Sequence, residues 1–446
     1  MKIIIAGAGD VGSHLAKLLS SEFHDIYLID KNEERLNSIS SQFDVFTIPG
    51  DAKSVEIMEQ KLISSCDLLI AVTSSEETNM LICILGKKLG AKHTIARIND
   101  DNIIKENREH FYNDLGINTL ISPTHLASLE IKRLIHQSAF TDDIEFEQGK
   151  LTVFGISLSN NSILINKTVR ESADLNPNLT FKPLALHRDN LTLLVSGETI
   201  LKENDIVYFI SLKESIDNII KICGKHKFKV KDVMIIGGSR IGLNTAELLE
   251  KDFRVTLVEK DKKRCEEMAS TLKSTLVVNI NGHDVKMLEE EGLTETDALV
   301  SVTADSEMNI MTSLVGKSHG IKKTIARIEN FDYINLSQSI GVDTLINKKI
   351  IAADNIFKFV RKGNVSSVAN LHGTDAEIIE FIVKSGTKIT KKPLNQLNFP
   401  SLSKIAGVIR DGNPIIPFGD FQLQENDQTI VFSLTESIKK IEEFFQ

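Results

Sequence analysis

Residues 1–30 read MKIIIAGAGDVGSHLAKLLSSEFHDIYLID. The apolar run Ile3 to Ala6 enters Gly7-Ala8-Gly9-Asp10-Val11-Gly12, a helical pattern continues through Leu15, Leu18 and Leu19, and a second apolar run, Ile26 to Ile29, ends on Asp30. Strand, glycine turn, helix and acid-tipped strand in this order form the βαβ signature of dinucleotide binding. Gly7 permits the tight turn, Gly9 lets backbone approach a pyrophosphate, and Gly12 lets helix and strand pack closely. The free N–H groups at the helix start suit phosphate oxygens. Asp30 is placed to accept from ribose hydroxyls and would repel a 2′-phosphate. The expected ligand is therefore NAD(H), or another nucleotide with a free 2′-hydroxyl such as ATP or ADP. The plainer reading is a turn that needs its glycines for geometry alone, followed by a solvated Asp.

The chain has 446 residues, enough for two to four domains with a core in each. Its formal net charge of -9 argues against a nucleic-acid partner, which calls for a basic face. No stretch approaches the ~18 uninterrupted apolar residues of a membrane span, and Gly7 to Asp10 breaks the apolar start too early for a signal peptide. A cytoplasmic protein is expected. Cys66, Cys83, Cys223 and Cys265 are widely spaced and read as reduced core thiols, and the histidines show no paired-ligand spacing, so no metal site is expected.

From Val233 the sequence reads VMIIGGSRIGLNTAELLEKDFRVTLVEK, a second strand, glycine turn, helix and acid-tipped strand. Gly7 answers to Gly237, Gly12 to Gly242 and Asp30 to Glu259. Asp67 to Thr73 (DLLIAVT) answers to Asp297 to Thr303 (DALVSVT), Glu77 and Asn79 to Glu307 and Asn309, and Ala96-Arg97-Ile98 to Ala326-Arg327-Ile328, all at an offset of 230. The chain is a duplication. In the first half, strands at about 2–6, 25–30, 44–48, 67–72, 93–98 and 118–121 alternate with helices at 11–21, 32–41, 53–62, 77–89 and 102–114. Such alternation gives a doubly wound parallel sheet of Rossmann-like type.

Ser122-Pro123 starts a further helix, about 123–138, with a stripe of Leu126, Leu129, Leu134 and Ile135. That stripe packs either on its own domain or on a second nucleotide domain. Residues 140–148 (FTDDIEFEQ) read as an acidic, exposed link. Short alternating runs, Thr152 to Leu158, Thr192 to Val195 and Ile206 to Ile210, then suggest a small α+β module with an antiparallel sheet. Ile378 to Val383, Ile405 to Arg410 and Thr429 to Phe432 repeat it, and Leu201 to Asp205 (LKEND) answers to Leu423 to Asp427 (LQEND). Lys221 to Lys231 reads as a basic linker between the halves, and His187-Arg188-Asp189 and Arg410-Asp411 as turns.

Further candidates lie at the ends of strands. Gly50-Asp51-Ala52 can border an adenosine. Thr73-Ser74 can touch a ligand, although Ser74 and Glu77 also have capping-box spacing; Thr303 repeats Thr73. Arg97 and Arg327 can reach phosphate or make surface ion pairs. The second loop, Gly237-Gly238-Ser239-Arg240-Ile241-Gly242, has Ser where Gly9 stands. A Cβ there narrows the approach of a pyrophosphate, so the second site binds more weakly or takes a different nucleotide, with Arg240 supplying charge that Asp10 does not. Neither nucleotide domain is followed by a visible catalytic constellation.

On GAGDVG with Asp30, DLLIAVTSSEETNM, GKKLGAKHTIARI, the Ser122-Pro123 helix and the second set GGSRIG, DALVSVT and KTIARI, the chain resembles the peripheral nucleotide-binding subunits of Trk-type potassium-uptake systems. In that family each half is an RCK (regulator of potassium conductance) unit. The resemblance implies nucleotide-binding domains at 1–122 and 231–347, with crossover helices at 123–138 and about 348–362, and small RCK C-terminal domains at 140–224 and 366–446. It implies a homo-oligomeric ring on the inner face of the membrane, beneath a potassium-conducting Trk-type subunit, that binds NAD(H) or ATP/ADP and gates the pore without being an enzyme. Two features depart from the family pattern: Ser239, and a first small module that matches less clearly than the second, which keeps Lys392-Pro393-Leu394 and Gly407 to Gly412. The alternative function is an NAD-linked oxidoreductase of unknown substrate. A redox-sensing repressor is disfavoured by the absence of a basic helix-turn-helix.

Overall fold

The computed structural model describes residues 1–20, 24–59, 63–105, 108–136, 142–189, 191–225, 229–329, 341–361, 367–371, 374 and 376–445. In the first half β1 (Lys2–Ala6), β2 (Asp25–Asp30), β3 (Phe46–Pro49), β4 (Leu68–Ala71), β5 (His93–Arg97) and β6 (Thr119–Ile121) form one parallel sheet, ordered β3-β2-β1-β4-β5-β6. This is a doubly wound sheet whose strand order reverses between β1 and β4, beside the glycine loop. Ile3, Ile4, Ile5 and Leu68 to Ala71 are buried on both faces of the sheet, as central parallel strands must be. Within the segment 53–62, expected to be one helix, the described helical residues are Val55–Glu59, and residues 60–62 lie outside the described set. The helix expected over 102–114 is divided into Asn102–Lys105 and Glu109–Asp114.

The first small module holds β7 (Asp142–Phe146), β8 (Leu151–Ser157), β9 (Phe181–Arg188), β10 (Leu191–Leu194) and β11 (Ile206–Leu212), an antiparallel sheet ordered β10-β9-β11-β8-β7. The expected acidic link is thus an edge strand over most of its length. Phe146 is buried, and the hairpin turns at Glu147, Gln148 and Gly149, all at positive φ. His187 and Arg188 belong to β9, and only Asp189, at φ 52°, is turn. The Arg188 guanidinium forms a bidentate pair with Asp205, both contacts 2.6 Å, and the Asp205 carboxylate is 1% exposed. Arg410 and Asp427 repeat the pair. Lys221, expected to open a linker, lies in the helix Ile216–Ile222.

The second half repeats the first. β12 (Asp232–Ile236), β13 (Arg254–Glu259), β14 (Leu276–Asn279), β15 (Ala298–Ser301), β16 (Lys323–Arg327) and β17 (Thr344–Ile346) give the order β14-β13-β12-β15-β16-β17. β18 (Ser367–Asn370), β19 (Ala376–Ile382), β20 (Ser403–Arg410), β21 (Asn413–Ile415) and β22 (Gln428–Leu434) give the small sheet β18-β19-β22-β20-β21.

The halves exchange helices. The first crossover helix, Pro123–His136, seats Ala127, Ile131, Leu134 and Ile135 in the second half's core with Ile235, Ile241 and Leu249. Its buried stripe is rotated from the expected one, and Leu129 is 40% exposed. The second crossover helix, Lys348–Arg361, places Ala352, Ala353, Ile356, Phe357 and Val360 against Ile3, Ile5, Leu15 and Leu19 of the first half. These positions recur at helical spacing, so one face is apolar and is covered by the opposite half.

The two small sheets also pack together, through Leu151, Tyr208 and Ile210 against Ile378, Ile430 and Phe432. Gly407 lets them approach closely, since a Cβ would stand 2.6 Å from the terminal methyls of both Ile210 and Leu151, which would have to shift. Lys182 and Lys404, at equivalent places in β9 and β20, each cross this interface. Lys182 donates to the Ile405 and Pro417 carbonyls at 3.3 and 3.2 Å, and Lys404 donates to the Val195 carbonyl. Burial pushes each ammonium down to about 8, with Lys182 adding repulsion at Lys404. Unfolded lysines hold their protons to about pH 10.4. Between about pH 8 and 10 the unfolded chain therefore binds more protons, and stability rises with pH. Across that window the wild type should gain about 1–3 kcal/mol per lysine relative to a Lys182→Met/Lys404→Met variant; urea unfolding at a series of pH values measures this.

Candidate nucleotide site

At the carboxyl edge of the first sheet, Gly7 turns the chain at φ 113° and its N–H meets the Ile29 carbonyl at 2.9 Å. A Cβ on Gly12 would stand 1.8 Å from the Gly7 carbonyl oxygen, so helix and strand meet backbone to backbone. A Cβ on Gly9 would meet nothing within 4 Å, so the space over the loop is open. Ala8 and Val11 are buried in the core and contribute through shape. The helix Asp10–Ser20 then opens towards that space.

The Asp30 carboxylate accepts from the Ala8 N–H at 2.6 Å and from the Asn32 N–H at 2.8 Å, which holds it over the loop. Asp51 is held below the ordinary carboxylate range by the Lys53 N–H and by Lys31, 3.0 Å away. Ala52 is buried beside it. The end of β4 is fixed by Asn79, 1% exposed, whose amide binds the Thr73 N–H, hydroxyl and carbonyl and the Arg97 carbonyl. Asn309 makes the same four bonds to Thr303 and Arg327. The helix after β4 is capped by Ser75, whose hydroxyl accepts from the Thr78 N–H at 3.1 Å. Of the two roles open to Ser74, capping falls to the next residue, and Ser74 lines the cavity.

That cavity, about 540 Å³, is lined by Gly7, Gly9, Asp10, Asp30, Asp51, Ser74 and Arg97. Arg35, and Lys348 and Lys349 from the second crossover helix, line it too, and no sequence motif marks them. Arg97 is half-buried with no hydrogen-bond partner at Nε; burial works against its charge while Asp10 and Glu329 favour it.

The second loop has the same backbone and a different filling. Gly237 turns at φ 107°, and a Cβ on Gly242 would stand 2.0 Å from its carbonyl oxygen. Ser239 caps the helix: its hydroxyl accepts from the Gly242 N–H at 3.3 Å and donates to the Val302 carbonyl at 2.8 Å. The Glu259 carboxylate accepts from the Gly238 N–H at 2.8 Å, and Arg264 donates to the Gly238 carbonyl. Met268 lies so near that a Cβ on Gly238 would be 2.5 Å from its methyl. Ile241 is buried. Arg240 turns away from its own loop and donates to the Asn99 carbonyl of the first half at 2.9 Å. Arg327 donates to the Thr303 carbonyl at 3.0 Å and to Glu329. The loop geometry is thus duplicated, while the helix-start N–H that phosphate would use is already taken in the second copy.

Two doubly wound domains with acid-tipped glycine loops, each followed by a small antiparallel module and joined by exchanged helices, define the tandem RCK architecture. The crystal structure of the GsuK RCK domain covers 99% of this chain and 94% of its own, with TM-score 0.59 and 16% identity; the GsuK channel bound to NAD covers 99% and 78%, also with TM-score 0.59. The TrkA-N domain model matches residues 3–123 and 233–348, and the TrkA-C domain model matches 153–224 and 378–446. The chain belongs to the TrkA family. Relatives include the Trk system potassium uptake protein TrkA homolog 1 of Methanosarcina mazei, 30% identical over the full length of both chains. The Trk system potassium uptake protein TrkA of Haemophilus influenzae is also 30% identical, over all of this chain and 99% of its own.

Proposed function

We propose that the chain is a regulatory subunit of a potassium-uptake system and binds NAD(H), or ATP or ADP, on its first glycine loop. The observation that carries this is the open cavity where Gly9, Asp30, Ser74 and Arg97 converge on a helix start. Asp30 would accept from the ribose, the loop and helix start would take the phosphates, and Arg97 would add charge. Kinship to the Trk system potassium uptake proteins supports the transport role, and GsuK structures carrying NAD or ADP support the ligand class. In this reading the chain assembles as a homo-oligomeric ring on the cytoplasmic face of a potassium-conducting membrane subunit. Its ligand acts by differential affinity for two ring geometries. Among the described residues, no helix is long and apolar enough to cross a membrane. The second loop, where the Ser239 hydroxyl already accepts from the Gly242 N–H, is the weaker site in this reading.

Calorimetric titration with NADH, NAD, ATP, ADP and NADPH tests this. We expect one nucleotide per chain, NADPH weaker than NADH, and affinity reduced about tenfold or more in Asp30→Ala. Failure of every nucleotide to bind, or turnover of NADH with a metabolite, would sink the reading; the second result would indicate an oxidoreductase.

A further inference from the structure

Around the mouth of the first cavity, Arg97, Arg327, Lys348 and Lys349 meet two carboxylates, Asp10 and Glu329. Lys349 bridges them, 2.6 Å from Asp10 and 2.9 Å from Glu329, while Lys348 lies 3.4 Å from Glu329 and Arg327 also pairs with it. Lys348 is near enough to Arg97 and Arg327 to be repelled by both. Among the described residues, this cluster sets four cations against two anions, beside a glycine loop and an Arg97 Nε without a hydrogen-bond partner. Such an arrangement favours a multiply charged anion.

The placement of the two lysines points the same way. They are the first two residues of their helix, where cations oppose the macrodipole. The matching positions of the first crossover helix, which begins at Pro123, are Pro123 and Thr124. Asn99 likewise stands where the second half has Glu329. The charge is therefore built at one of the two sites, by residues of the half that does not own it.

We propose that Lys348 and Lys349 bind the phosphates of a nucleotide seated on the first glycine loop, exchanging Asp10 and Glu329 for phosphate oxygens. This rests on the reading of that loop as a nucleotide site and adds to it the second half as reader of phosphate. The ligand class is a nucleotide with a pyrophosphate or longer chain. Binding also breaks ion pairs that run to Glu329, at the end of the second half's sheet, so occupancy of one half is felt in the other.

The test is titration of the full chain with adenosine, ADP and ATP, comparing wild type with Lys348→Gln/Lys349→Gln, Glu329→Gln and Asp30→Ala. In the double variant ATP affinity should fall about tenfold or more while adenosine binds unchanged, with ADP between them. Glu329→Gln, which frees cations, should tighten ATP binding about threefold or more. If the double variant binds ATP as wild type does while Asp30→Ala does not, the lysines do not read phosphate and the nucleotide site stands without them. If the double variant loses adenosine and ATP alike, the lysines are structural and the proposal fails. If wild type binds none of the three, the nucleotide reading falls too.

Discussion

Phe357→Ala is expected to lower the unfolding free energy by about 3–5 kcal/mol, and to do its damage in the half of the chain that does not contain it. Phe357 is 2% exposed and lies in the cluster of Ile3, Ile5, Leu15 and Leu19. Truncation leaves a void between the second crossover helix and the glycine-loop helix, with little freedom for either to close it. Hydrogen exchange locates the effect: amides of β1, β2 and the helix Asp10–Ser20 should lose protection more than those of β12 and β13. Uniform loss, or loss confined to the second half, would contradict the exchange of helices. Because the softened elements carry Gly9 and Asp30, nucleotide affinity should fall in the same variant.

A comparable loss, about 3–5 kcal/mol, is expected for Arg410→Ala, because it strands a buried carboxylate. Asp427 is 1% exposed and would keep the Gln424 N–H at 2.8 Å as its remaining donor. Arg410 also lies 4.9 Å from the Phe421 ring centre and donates to the Gln422 carbonyl, so the variant uncovers apolar surface as well. The control is Arg410→Met/Asp427→Leu, which removes both charges and should recover most of the stability. If the double variant is as unstable as the single one, packing around Arg410 rather than the stranded charge is responsible. The same comparison at Arg188 and Asp205 should give a similar answer, since the geometry repeats.

The parallel sheets were legible because the determinants are local and occur twice: glycines at fixed spacing, apolar strands, acids at strand tips. What escaped was whatever depends on phase or on distant chain. Acidic Asp142, Asp143 and Glu145 disguised the alternation of Ile144 and Phe146 that makes β7 a strand. The leucines of the first crossover helix suggest one phase, whereas its buried face is set by Ala127, Ser128 and Ile131, with the small Ala127 and Ser128 admitting the opposite helix. Asn79 and Asn309 stood out as repeated letters, but their clamp on two strand ends needed coordinates. Arg188 and Arg410 looked like turn residues because their partners, Asp205 and Asp427, come after intervening strand and loop. At the candidate site, Asp30, Ser74 and Arg97 could be proposed from strand ends alone. Lys348 and Lys349 could not, because they arrive from a helix that the sequence assigns to the other half.

The exchanged helices also set a schedule for synthesis. The first sheet, its glycine loop and the helix that follows emerge early, but the surface against which Ile356, Phe357 and Val360 rest stays bare until the second crossover helix has been made. At about 5–20 residues per second, Val360 follows Ile39 by roughly 15–65 s. For that interval the nascent chain carries an uncovered apolar face, which makes it a client for chaperones and vulnerable to pairing with the equivalent surface of a neighbouring nascent chain. A ribosome pause before the second crossover helix has emerged would lengthen the exposure, and one after it has emerged would not.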